Sequence, residues 1–334
     1  MIKILAIIPA PTGAVSFYRG LGPLLRLQKD HPDFIQVSYG ASDYQWCDLY
    51  PFDIIFLIRP DTPDGVNLIH RARRMNKRIW TDWDDLLWEI PIHHPLSPRY
   101  TDPKVLKTIA EAMSLSDATS FSTPYLESRA QEDFGITGTR LITNAVDFEM
   151  QPAARKYQGG HNYMWRGSNT HEHDLYIYKE AIIHSVLKHD RAIHFYGSMP
   201  HFIFTAIPNF QQYPFTELPE YLENIRVGKY SMALVPLGPD NFNKAKSNIA
   251  ALEAVTAGII PVVPSSEGWA DIGIPYTGIK NMMEAIDFLE GESQESLSQH
   301  WSQMMAVVKK EYDIKTQNAV RKSIIKDLVS WVEQ

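Results

Sequence analysis

The sequence predicts an α/β protein of two doubly wound domains that face each other across a cleft. Three observations carry this. Short apolar runs recur along the 334 residues, each followed by a turn and a helix-like segment, which is the pattern of a parallel sheet covered on both faces by helices. At roughly 100–200 residues per domain the length suits two units. Between them the stretch QPAARKYQGGH (151–161) loses its apolar period and carries a proline and a glycine pair, the composition of a linker.

Taken in order, the apolar run at the start predicts a strand at 2–9, and later runs predict strands at 54–58, 78–81, 119–122 and 141–143. Helical spacing predicts helices at 22–29, 66–75, 103–115 and 124–134. After the linker the alternation resumes, with strands at 163–165, 193–196, 232–236 and 259–263 and helices at 174–188, 218–227, 248–257 and 281–289. The chain then runs in helical pattern over 297–312 and 315–332. No repeat of about 20–50 residues is present, which excludes a solenoid.

Hydrophobic residues make up 44% of the chain and charged residues 21%, a composition that can bury a core and does not fit a disordered chain. Lys plus Arg number 32 against 39 Asp plus Glu, a net charge of −7, so a generally basic nucleic-acid coat is excluded. A local basic patch is not: Arg71, Arg73, Arg74 and Lys77 lie in the densest basic run, followed by Trp80, Trp83 and Trp88, and would make the contact if DNA were a partner. Cys47 is the single cysteine, so the sequence offers no internal disulfide and no thiolate metal cluster, which fits a reducing compartment. The first apolar run is about six residues long, short of a secretory signal. No stretch approaches the ~18–20 apolar residues of a membrane span, and a cytoplasmic protein is expected.

The most informative segment is PLGPDNFNKAKSNIAALEAVTAGIIPVVPSS (236–266). A strand meets a polar loop with Lys244 and Lys246, and Ser247 or Asn248 can cap the helix that follows, whose Ile249, Leu252 and Val255 face inward. Gly258 suits the end of that helix and a buried strand comes next. Free backbone N–H groups, the positive end of a helix dipole and two ammonium groups favour an anion such as a diphosphate at this loop. Glu253 lies two turns along the same face at about 1.5 Å per residue, placed to accept hydrogen bonds from sugar hydroxyls.

This stretch resembles the nucleotide-sugar-binding signature of GT-B glycosyltransferases, in particular the retaining family-4 type and its relatives in bacteria and bacteriophages. In that family the Glu that ends an E-x7-E pattern binds the donor ribose, and Glu253 stands at its position. The first Glu would fall at Ala245, where this chain reads N-K-A-K-S-N instead. The resemblance implies two Rossmann-like domains, an acceptor domain at 1–152 and a nucleotide-sugar domain at 160–310. It also implies that a last helix, 311–334, crosses back onto the first domain.

Three further segments supply candidates. In YMWRGSNTHEHDL (163–175), Gly167 allows close backbone approach, Ser168 can cap, and Arg166 can meet phosphate charge. The segment resembles the opening of the GT-B C-terminal domain, which makes His171 a donor contact. Alternating His171 and His173 at a helix start rarely converge on one ion, so no metal is expected there. In RIWTDWDDLLWEIP (78–91), Asp82, Asp84 and Asp85 stand just beyond a buried strand, where three carboxylates raise one another's pKa and can supply an acid or base, or bind sugar hydroxyls or a cation. Similar aspartate-rich turns occur in phage and bacterial GT-B relatives. The first loop, PAPTGAVSFYRGLG (9–22), lacks G-x-G-x-x-G and so carries no dinucleotide fingerprint. In GT-B enzymes the equivalent loop approaches sugar or acceptor, which singles out Gly13, Tyr18 and Arg19. Arg59 at the end of a strand and Asn144 in TNAVD complete the cleft candidates.

The expected activity is transfer of a sugar from a nucleoside diphosphate sugar to the hydroxyl of a glycan, a lipid-linked sugar or a hydroxymethylated base of phage-type DNA. Retention of configuration follows from the resemblance. Asp82, Asp84, Asp85, Tyr18 and Arg19 are the catalytic candidates. Donor binding falls to Gly13, Arg166, Gly167, Ser168, His171, Lys244, Lys246, Ser247, Asn248 and Glu253. No cofactor is required, and a divalent cation is compatible without being expected. A nucleotide-sugar epimerase or a non-catalytic nucleotide-sugar binder would present the same donor half.

Overall fold

A computed structural model describes residues 1–8, 10, 13–40 and 48–330. Pro9, Cys47 and the end of the last expected helix lie outside the described residues.

The described residues form two six-stranded sheets. In the first, β1 (Ile2–Ile7), β2 (Ile35–Gly40), β3 (Ile54–Ile58), β4 (Arg78–Trp83), β5 (Ala118–Phe121) and β6 (Thr139–Leu141) run in the order β2-β1-β3-β4-β5-β6. In the second, β7 (Asn162–Gly167), β8 (Ile193–Gly197), β9 (Phe210–Tyr213), β10 (Tyr230–Leu234), β11 (Ile260–Pro264) and β12 (Ile274–Tyr276) run in the order β12-β11-β10-β7-β8-β9. Every pairing in both sheets is parallel. The inner strands β3 (IIFLI) and β10 (YSMAL) are buried at every residue, as strands covered on both faces must be.

Three strands are absent from the sequence reading, β2, β9 and β12, and each is the edge of its sheet. An edge strand keeps one face open, and IQVSYG and FQQY carry polar residues there, so neither shows a continuous apolar run. The expected loop after β1 contains a helical turn, Ala14–Arg19, separated from the helix Leu21–Asp30 by Gly20. The helix expected at 174–188 is broken at Tyr178 into Glu172–Ile177 and Lys179–Lys188.

Each face of the first sheet has its own core. Leu57, Ile69, Trp83 and Phe121 pack under the helices Pro63–Arg74, Pro103–Ser114 and Pro124–Phe134. Ile4, Phe56 and Trp80 pack on the other face with Ile324, Ile325 and Leu328 of the last described helix, Ile314–Ser330. Burying such side chains contributes about 1.5–3 kcal/mol each, which fixes this helix on the N-terminal domain although it follows the C-terminal one in the chain. Asn318 also donates to the Pro23 carbonyl at 3.0 Å. The two crossings between domains lie side by side: Val146 N–H donates to Tyr312 O at 2.7 Å, and Ile314 N–H donates to Val146 O at 2.9 Å.

In each sheet the strand order reverses beside the first strand, between β1 and β3 and between β7 and β10. Crevices outside the carboxyl ends of strands at such a point are where open α/β sheets bind ligands. No described helix is long and apolar enough to cross a membrane.

Candidate functional site

The two crevices face one another. A cavity of about 210 Å³ between them is walled on the N-terminal side by Tyr18, Arg19, Arg59, Asp84, Asp85 and Asn144. On the C-terminal side it meets Arg166, His171, Lys246, Ser247, Ile249 and Ala250.

The C-terminal wall is a helix start. In the helix Ile249–Ala257 the N–H groups of Ala251 and Leu252 both return to the Asn248 carbonyl, and the residues before them, Ile249 and Ala250, carry first-turn N–H groups that have no acceptor within the helix. The helix ends at Gly258, whose φ of 89° is left-handed and suits glycine. The loop ahead of the helix is fixed by its own bonds: Trp269 Nε1 donates to Lys246 O at 3.3 Å and Asn248 Nδ2 donates to Gly268 O at 2.6 Å. Lys246 Nζ lies 4.3 Å from the centre of the Phe242 ring and donates to Asp85 Oδ1 at 2.8 Å, across the cleft. Asn144 Nδ2 likewise donates to Ser247 Oγ at 2.8 Å.

The opposite wall is a charge network. Arg59 follows β3 in a left-handed conformation, φ 46°, held by its N–H bond to Asp82 O at 3.0 Å. Such a conformation costs a non-glycine residue about 1–3 kcal/mol, and here it brings the side chain to the wall of the cleft. From there the guanidinium reaches both Asp84 and Asp85, the latter at 2.7 Å. Burial alone would raise the Asp85 pKa, but Lys246 and Arg59 together hold this carboxyl well below its usual range. Burial works against the Arg59 charge and the two aspartates more than reverse it. The expectation that neighbouring aspartates push one another up thus fails for Asp85, because two cations separate their fields.

A second cavity of about 420 Å³ adjoins the first through Ala14, Arg166 and His171, and is lined by Gly13, Gly167, Ser168, Tyr196, Phe215, Tyr221 and Glu253 among others. Glu253 is only 1% exposed. Its Oε1 accepts from Tyr18 OH at 2.9 Å and its Oε2 from Tyr221 OH at 3.3 Å. Arg166 Nε stands 2.9 Å from Oε2, close enough for an ion pair but out of line for a hydrogen bond. Burial, and then the Glu253 carboxylate, push both phenols well up, so both remain donors.

His171 lines both cavities. Its Nδ1 is 3.0 Å from Asp174 Oδ2, while Oδ1 of the same buried carboxylate accepts from Gly238 N–H at 2.9 Å and Asn243 Nδ2 at 2.8 Å. A carboxylate only accepts, so Nδ1 carries the proton and Nε2 is the acceptor of the neutral ring. Burial lowers the His171 pKa, against the pull of Asp174, which favours that neutral form. Among the described residues no group of three or more His, Cys, Asp or Glu is arranged to hold a metal ion.

No protein-family model and no curated protein matches the sequence. Solved structures do match the fold. Sucrose-phosphate synthase from Thermosynechococcus elongatus superposes with a TM-score of 0.72 at 10% identity, over 99% of this chain and 100% of that one. A UDP-forming α,α-trehalose-phosphate synthase from Burkholderia xenovorans gives 0.66 at 10% identity, over 98% and 99%. An α-glucosyltransferase in complex with UDP-glucose and DNA containing an abasic site gives 0.64 at 11% identity, over 97% and 99%. The fold is GT-B. At these identities the likeness is one of architecture.

Within the GT-B cleft most of the residues expected from sequence meet: Tyr18, Arg19, Asp84, Asp85, Arg166, His171, Lys246 and Ser247 share the first cavity, and Gly13, Gly167, Ser168 and Glu253 share the second. Some depart. Asp82 is inside β4, not beyond it, 1% exposed and paired with Arg19 under the cleft floor, because the strand runs to Trp83. Lys244 is exposed on the short helix Asn241–Lys244 and lines neither cavity. Asn248 occupies the cap position without a side-chain cap bond, since its amide goes to Gly268. Ser168 caps locally, accepting from Thr170 N–H at 3.3 Å. A Cβ at Gly167 would fall 2.7 Å from the Trp165 ring, so glycine there makes room for that indole.

The basic run sits elsewhere. Arg71, Arg73 and Arg74 end the helix Pro63–Arg74, where cations complement its dipole, and Lys77 precedes the amino end of β4. The cleft is at the carboxyl end of that strand, about 20 Å away at ~3.3 Å per residue. Arg73 donates to Leu115 O at 2.6 Å and Lys77 to Tyr50 O at 2.9 Å. Sequence reasoning passed over Tyr221 and the role of Asp174; an inward tyrosine one turn into an amphipathic helix was the signal for the first.

Proposed function

We propose that the chain is a GT-B glycosyltransferase that moves a sugar from a nucleoside diphosphate sugar to an acceptor hydroxyl. The observation that carries this is the helix start at Ile249, with Lys246 and Arg166 beside it and Glu253 about one turn along, in a cleft between two Rossmann-like domains. In this reading the diphosphate rests on the uncommitted N–H groups and Lys246, and the nucleoside enters the second cavity between Glu253, Tyr196 and Phe215. The N-terminal domain presents the acceptor from the Arg59, Asp84 and Asp85 wall.

The acceptor oxygen bonds to the anomeric carbon while the bond from that carbon to the diphosphate breaks. The acceptor proton passes to the departing phosphate oxygen, and Lys246, Arg166 and the helix start stabilise the negative charge that develops there. Retention of configuration is part of the proposal. Arg59 holds both Asp84 and Asp85, so neither carboxylate of the acceptor wall stands free as a base for an inverting displacement. The closed cleft limits water and with it hydrolysis of the donor.

The names of the structural neighbours support a sugar phosphate or DNA as acceptor class. The test is release of nucleoside diphosphate from a panel of sugar nucleotides offered with sugar phosphates or hydroxymethylated DNA. Acceptor-linked product that Lys246→Ala abolishes supports the proposal, and the anomeric proton signal of that product reads its configuration. A donor that binds yet is recovered intact with every acceptor removes the transferase.

A further inference from the structure

Three of the expected donor groups of the C-terminal domain, Glu253, Lys246 and Ser247, each hold a side chain of the N-terminal domain. Tyr18 OH donates to Glu253 at 2.9 Å, Lys246 donates to Asp85 at 2.8 Å, and Asn144 donates to Ser247 at 2.8 Å. The three partners stand after three different strands, β1, β4 and β6, so the arrangement is set by the sheet and not by one mobile side chain. The chemistry matches group by group. A phenol hydroxyl gives Glu253 the bond that a ribose hydroxyl would give, and the Asp85 carboxylate takes from Lys246 the bond that a phosphate oxygen would take. Glu253 is 1% exposed although it lines a cavity of about 420 Å³, so Tyr18 or Tyr221 must move before a ligand reaches it.

We propose that Tyr18 and Asp85 act as a built-in competitor of the donor: they occupy the groups that recognise a nucleoside diphosphate, and the nucleotide binds only as they let go. This rests on the donor-site reading above. Apparent affinity is then the intrinsic affinity reduced by the fraction of molecules in which the contacts are open. Tyr18→Phe removes the competing hydroxyl without changing charge or ring packing, so it raises nucleotide affinity where loss of an ordinary binding residue would lower it.

The experiment titrates UDP, GDP and ADP calorimetrically into the full chain and into Tyr18→Phe, and follows hydrogen exchange of residues 14–19 in the unsubstituted protein, which needs no variant to fold. The expected result is tighter binding of one nucleotide by the variant, on the order of 10-fold, and faster exchange at 14–19 when that nucleotide is added. Binding by the unsubstituted protein with equal or weaker binding by Tyr18→Phe, and no rise in exchange, overturns the competitor and leaves the donor site standing. Absence of binding by both proteins overturns the donor-site reading itself.

Discussion

Arg19 and Asp82 form a two-point ion pair beneath the cleft floor, Nε to Oδ2 at 2.9 Å and Nη2 to Oδ1 at 2.6 Å, with neither side chain more than 2% exposed. Ser120 donates its hydroxyl to the same carboxylate, and Arg19 also reaches the carbonyl of Ile142 and the side chain of Asn144. The pair therefore ties the loop after β1 to β4, β5 and the crossing between domains. Arg321 of the last helix is buried near it, and burial and then Arg19 both work against its charge while Asp82 supports it. Asp82→Ala leaves two buried guanidinium groups without their carboxylate and should cost about 3–5 kcal/mol, read as a lower urea midpoint at unchanged slope.

Lys246→Ala should separate phosphate from nucleoside recognition. A charge-assisted hydrogen bond is worth about 1.5–3 kcal/mol, so affinity for the nucleoside diphosphate should fall roughly 10- to 100-fold while affinity for the bare nucleoside stays. Calorimetric titration of both ligands checks it.

Glu253→Gln should behave differently. The carboxylate faces the second cavity and not the phosphate position, so the nucleoside and its diphosphate should weaken by the same factor in the same titrations.

Acid should loosen the fold through His94. This ring is 5% exposed, and its Nδ1 accepts the Leu96 N–H at 3.1 Å, which requires the neutral form. Burial, then Lys246 and His171, push its pKa down to about 4. The unfolded chain takes up that proton near pH ~6.5, so this contribution is complete above ~6.5 and is lost as pH falls toward 4, by up to about 1.4 kcal/mol per unit. Melting temperature should drop between pH 7 and 5, and less in His94→Gln. Domain contact should also weaken as His93 takes up a proton, since His93 stacks on His173 with ring centres 3.5 Å apart, and burial and then that neighbour hold the His93 pKa below its usual value.

The architecture was legible because parallel strands buried on both faces write themselves as apolar runs: 54–58 appears as β3 unchanged, and 124–134 and 218–227 as helices unchanged. Edge strands do not, which is why FQQY of β9 escaped. At the site, Lys246 just ahead of a helix start and Glu253 about one turn into that helix were readable from local sequence. What neighbours them was not: that Tyr18 would reach Glu253 from 235 positions away, or that Asp82 would turn under the floor while Asp85 turned into the cleft, depends on how two sheets face each other. A two-residue error in the end of β4 was enough to put Asp82 on the wrong side of the cleft floor.

Thermal melting of the purified chain with UDP, GDP, ADP, CMP and their sugar conjugates, beside Lys246→Ala and Glu253→Ala, tests the donor site most directly. One nucleotide should raise the melting temperature, by the equivalent of ~2.7 kcal/mol at 100-fold over Kd, and both substitutions should shrink the shift. No shift with any of them, in protein whose circular dichroism shows it folded, or a shift that neither substitution alters, would contradict the donor-site reading.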